Sequence, residues 1–185
     1  MSKAREMAEI LSTPPAIYST DAEVAAAYVT PTSTDTLTNK TLTSPVVNTA
    51  TLKDGIVKGL KEDVNIVNSA ATGTINFDVD TASVWYYTTS ASANHTLNIR
   101  YSSNVTLNTV LATGDAITVV WMNTNGATAY YPDVIQVDGT TITPKWQGGT
   151  APSSGNTSSI DIYTFTIIKT ASVTFTVLGA QTQFK

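Results

Sequence analysis

Asp78 and Asp80 stand two residues apart in an alternating run, so a strand would turn both carboxylates to one face, the simplest layout from which a glycan-cleaving acid pair is built. A general acid also needs neighbours that raise its pKa, and the glutamates that might serve, Glu6, Glu9, Glu23 and Glu62, all fall in the first third of the chain. The pair therefore reads as solvated edge or turn residues. His95 is the one histidine, no G-x-S-x-G turn accompanies it, and cysteine is absent. A lone imidazole is neither a triad nor a metal site, and without thiols the fold is indifferent to redox compartment. The expectation is a protein without enzymatic activity, cofactor or metal.

Aromatic residues are the better source of recognition. Trp85, Tyr86, Tyr87, Trp121, Tyr130, Tyr131 and Trp146 exceed what a small core requires, and Tyr and Trp stack on sugar faces while their polar atoms bond hydroxyls. Trp121 sits mid-run among β-branched residues and is assigned to the core. Tyr130, Tyr131 and Trp146 flank turns and loops, where binding residues concentrate, and are the candidate receptor-binding positions.

The elements that must carry these side chains are mainly β. Of 185 residues 34 are threonine and only 13% are charged, a bias towards strands with hydroxyl-covered surfaces. Alternating runs follow one another from Val64 to Leu178, and Asp138-Gly139 between two of them marks a tight hairpin. Inward positions are Ile75, Phe77 and Val79, then Leu97, Ile99 and Tyr101, then Val173, Phe175 and Val177. The run Ile160 to Ile168 is apolar on both faces, which places it centrally or in a subunit interface. These runs predict an antiparallel β-sandwich or jelly-roll-like head over 64–185.

Two short helices are expected before it. Ala4, Met7, Ala8 and Leu11 form an apolar stripe at helical spacing, and Thr20 to Glu23 has capping-box spacing ahead of three alanines. Neither is long enough to be stable alone, so residues 1–30 read as a docking segment that orders on a larger assembly, with the stripe as its anchor. Met1 to Ile10 carries charges where a secretory leader needs an apolar stretch, and no eighteen apolar residues run together; cytoplasmic synthesis without membrane insertion is expected. The net charge of −4 and dispersed basic residues offer no track for nucleic acid.

Between the two, over 31–63, lies a repetitive segment and a charged hinge. Thr36 to Lys40 and Thr41 to Pro45 are near copies, and Thr49 to Leu52 echoes them. One such strand buries almost nothing, whereas several copies around an axis could bury Leu37, Leu42, Val46, Val47 and Leu52 together. This predicts an extended β shaft with those five residues as its interface, and a homo-oligomer.

The Asn39-Lys40-Thr41-Leu42 stretch resembles a segment of many tailed-phage virion proteins. Thr74 to Val79, Tyr86-Tyr87, Val137 to Thr140, Thr143 to Pro152, Ser159 to Tyr163 and Phe165 to Lys169 resemble a terminal domain of structural proteins from marine, especially cyanobacterial, phages. The resemblance implies a non-enzymatic virion protein, made in the host cytoplasm, forming a trimeric fibre-type appendage joined to other virion proteins through its N-terminus. It leaves open a capsid decoration or head fibre, and a tail-fibre head that binds a receptor or surface glycan in host attachment.

Overall fold

Among the described residues the alternating pattern becomes strand ten times. The strands are β1 (Val64–Ala70), β2 (Gly73–Asp78), β3 (Val84–Thr89), β4 (His95–Arg100), β5 (Ala116–Asn125), β6 (Pro132–Val137), β7 (Thr140–Ile142), β8 (Lys145–Trp146), β9 (Ser159–Ala171) and β10 (Thr174–Phe184). One helical turn, α1 (Leu107–Val110), interrupts them, and a 3-10 turn at Gln147–Gly149 follows β8. The computed structural model describes Thr41, Thr43 and residues 53–185. Two compact units divide the chain, Met1–Gly55 and Ile56–Lys185, and all of these elements belong to the second. The anchor positions Ala4, Met7, Ala8 and Leu11 and the shaft positions Leu37, Leu42, Val46, Val47 and Leu52 lie outside the described residues.

The protein is mainly β, as composition predicts, but its sheets are mixed rather than antiparallel. One sheet runs β1-β3-β5-β9-β10-β8, the other β2-β4-β6-β7. The first six strands alternate between them, each parallel to the strand two before it: β1, β3 and β5 in one sheet, β2, β4 and β6 in the other. Parallel neighbours need a crossover, and here the crossover is a strand of the opposite sheet. The corners of this winding bond to one another, Ser92 N–H to the Ala71 carbonyl at 3.1 Å and Ala91 N–H to that of Thr124 at 2.8 Å. The antiparallel partners come later, β9 beside β5 and β10 beside β9. Period-two patterning reports which face is buried and is silent on strand direction, which is why the expectation failed there.

The β6–β7 hairpin forms as predicted, with Asp138 and Gly139 at φ 51° and 78°, the two left-handed residues of a primed turn. Both sheets contribute to one core. Phe77 of β2 stacks on Trp85 of β3 at 5.0 Å, and Trp121, fully buried in β5, lies 4.7 Å from Tyr87 and 5.6 Å from His95 between ring centres. Ile75, Leu97, Ile99 and Val177 are buried inward as expected, and each such aliphatic side chain contributes about 1.5–3 kcal/mol. Val173 departs from expectation. It is 67% exposed in the β9–β10 turn with φ 53°, because the strand begins only at Thr174.

Candidate functional site

Buried and half-buried charges in this domain hold loops. Asp161 on β9 is fully buried; its oxygens accept from Asn156 N and Nδ2, both at 2.8 Å, from Asn125 Nδ2 at 3.1 Å and from Ser159 Oγ at 3.3 Å. Asn125 in turn accepts from the Tyr130 amide at 2.9 Å, and Asn123 donates to the Tyr130 carbonyl at 3.0 Å. Gly155 lies so close that a Cβ there would meet that carbonyl. One carboxylate thus ties the loop after β8 to the loop before β6. Beside it burial pushes the Tyr163 phenol far up, Asp161 adding to the effect, and Gln181 Nε2 donates to Tyr163 Oη at 2.9 Å.

The single turn of α1 is held from both ends. Asp138 accepts from the amides of Leu107 (2.8 Å) and Asn108 (3.0 Å), Thr106 caps the Thr109 amide, and Lys169 Nζ donates to the carbonyls of Asn108 (2.6 Å) and Leu111 (2.8 Å). A negative group at the first amides and a positive one at the last carbonyls oppose the unfavourable nucleation of so short a helix. Asp78 pairs with Arg100 across β2 and β4 at 2.6 Å. Asp80 lies past the end of β2, not on one strand face with Asp78, and its hydrogen bond raises the Tyr101 phenol pKa.

Tyr131 and Trp146 are brought together; Tyr130 is not. The two line a cleft of about 210 Å³ with Pro132, Asp133, Pro144 and Pro152, between the β6–β7 hairpin and the loop that Asp161 secures. The Tyr131 amide donates to Asn94 Oδ1, and its carbonyl accepts from the His95 amide, both at 3.3 Å. Trp146 packs edge-on to Phe165, its ring against the bare Cα of Gly179. All three aromatic residues are half-buried, Tyr130 with its main chain committed to the asparagine network. Flat rings, prolines and one exposed carboxylate suit the apolar face and hydroxyls of a sugar.

His95 opens β4 facing inward and is buried. Its Nδ1 lies 3.3 Å from the Ala93 carbonyl, which assigns the proton to that nitrogen, and Nε2 has no protein partner. Burial pushes its pKa below 6.5, with Ala93 and Asp133 opposing. Its period-two alignment with Leu97 and Ile99 is the sequence signal for this inward placement. A larger cleft, about 380 Å³, lies between α1 and the β9–β10 turn, lined by Asn108, Ile142, Val173 and Phe175, and was not foreseen. Among the described residues no group of three or more metal-ligating side chains occurs, and no helix is long and apolar enough to cross a membrane.

Scans of this chain against protein-family models, curated proteins and solved structures return no match.

Proposed function

We propose that this chain is a non-enzymatic structural protein of a tailed-phage virion, an oligomeric and specifically trimeric fibre-type appendage with a β-sandwich-like head, attached through its N-terminal segment. The observation that carries the non-enzymatic part is the use of charge: Asp161, Asp138, Lys169, Asp78 and Arg100 are all engaged with loops, a helix or each other. A rigid, thiol-free β domain with its charges so engaged suits a particle component. The repetitive segment from Thr36 to Leu52 and the resemblance to phage structural proteins supply the rest.

The Tyr131–Trp146 cleft favours a second role for the same head, binding a host surface glycan. Incorporation into particles tests the first reading: a chain lacking residues 1–30 should fold yet be missing from purified virions, and normal incorporation would remove the anchor. Labelling the protein on intact particles separates a tail position from the capsid surface. Changing Tyr131 and Trp146 to alanine should slow adsorption while leaving the β signal unchanged. Unchanged adsorption would remove the glycan role and leave the structural one.

A further inference from the structure

The two sheets turn very different faces outward. On the smaller sheet the outward row is Asn76, Asn98 and Gln136, with the Asp78–Arg100 ion pair beside it; the row is polar, and Asn98 within it is buried, donating to Asn76 and accepting from the Gly139 amide. On the larger sheet the alternate positions opposite the core are apolar or hydroxyl, with the amide of Asn68 on β1 the exception. Cross-strand register sets Ile66, Tyr86, Met122 and Ile162 in one row, and Val64, Val84 and Val120 in the next with Thr164 and Ala180. Among the described residues no charged side chain lies on this face from β1 to β10; Lys145, in register with Leu178, stands at its rim on β8. Ile66 is 66% and Phe184 53% exposed.

We propose that this face is where a second copy of this chain packs in the head. The inference deepens the oligomer proposed above and stands on the sheet rather than on the shaft. β5, β9 and β10, spaced about 4.8 Å apart, run the length from Ile160 to Ile168 at about 3.4 Å per residue, roughly 14 by 30 Å, and β1 and β3 flank only the end nearest Ser159–Thr164, adding roughly 10 by 20 Å. That is about 600 Å² per copy and about 1,200 Å² for a pair, at the low end of a specific interface and the high end of what a soluble monomer leaves in one patch. Charge permits the same occupant. Copies that each carry −4 repel one another, and an uncharged face with its single Lys145 at the rim is where they can approach without burying an unpaired ion. The segment entering β1, the edge strand of this sheet, continues the theme, with Ile56 86% and Leu60 74% exposed.

The chain lacks cysteine, so one introduced thiol reports one position. In the full-length protein, Ile66→Cys, at a position 66% exposed in the single chain, should react with a bulky maleimide at least tenfold more slowly than Thr141→Cys, which sits exposed on the smaller sheet, and the native mass should be that of an oligomer. M122D together with I162D should lower that mass with the circular dichroism of the head retained. Fast labelling at position 66 in an oligomer would overturn the proposal, showing that copies meet elsewhere. A monomer would overturn it too: slow labelling there would mean another part of the same chain covers the sheet. Virion incorporation enters none of these measurements, so the phage reading and this interface fail separately.

Discussion

Replacing Asp161 by alanine removes the acceptor for five hydrogen bonds of 2.8 to 3.4 Å and turns a pinned loop into a tethered one. Asn125 Nδ2 is left buried with no partner, and Asn156 loses the acceptor for both its amide and its side chain. Each buried donor left unsatisfied costs about 1–3 kcal/mol, and two or three of them give about 3–5 kcal/mol once some water enters. Domains of this kind are stable by about 5–15 kcal/mol, so the loss is a large share of the whole. It should lower the melting temperature by roughly 10 °C or more.

Asp161→Asn keeps one acceptor oxygen but points an NH₂ at the donors of Asn125 or Asn156, and should fall between, at about 1–3 kcal/mol. The assay is urea unfolding of wild type and both variants, with hydrogen exchange at the Asn156 amide as the local readout. A double-mutant cycle with Asn156→Ala should show coupling of about 0.5–3 kcal/mol through the side-chain bond that alanine removes, the main-chain amide of residue 156 keeping its own. An Asp161→Ala protein within about 0.5 kcal/mol of wild type, with the Asn156 amide still protected, would refute the argument: water would then serve these donors as well as the carboxylate does.

Three further outcomes follow from particular residues. His95 is buried neutral with its pKa held below 6.5, so the unfolded chain takes up a proton first as pH falls. Stability should be full above about pH 6.5 and decline as pH drops from there towards the folded-state value, and His95→Gln should flatten that slope in unfolding midpoints between pH 7.5 and 5.5. Val173→Gly relieves a β-branched residue at positive φ where little burial is lost, and should raise stability by about 1 kcal/mol in the same assay. Gly155→Ala places a methyl against the Tyr130 carbonyl and should cost about 1–3 kcal/mol, read as a lower midpoint with the slope unchanged.

Burial was legible for most inward positions, Val173 apart, whereas connectivity was not. Phe77, Leu97, Ile99 and Trp121 sit inward because period-two alternation with large apolar residues leaves no other face for them. Nothing in that period says whether a neighbour runs parallel, so the winding of β1 to β6 between two sheets was lost. The Asp161 network did leave a trace: Asn123, Asn125 and Asp161 occupy inward positions of their strands, and polar residues at core positions imply that they satisfy one another. Lys169 follows the same rule on β9, in step with Phe165 and Ile167. The turn of α1 left no trace, since four residues carry no helical period and its supports, Asp138 and Lys169, lie 30 and 61 residues away. Of the aromatic trio, loop position alone could not separate Tyr131, which lines the cleft, from Tyr130, which anchors it.

The distribution of charge connects these observations. A domain with few charged residues uses them where local structure is weakest, at a one-turn helix and at the long loop after β8, because a carboxylate bonded to several amides holds irregular backbone that no ladder would hold. That choice leaves the strands to be distinguished by neutral side chains alone. On the smaller sheet amides and an ion pair make the outward face polar. On the larger one, valine, isoleucine and threonine do not, although the same composition was available to both. Strand propensity favours valine, isoleucine and threonine on either sheet, so it does not separate the two faces. The packing of a second copy proposed above would separate them, because it takes the row of Tyr86, Met122 and Ile162 out of water and leaves the amides of the smaller sheet outside.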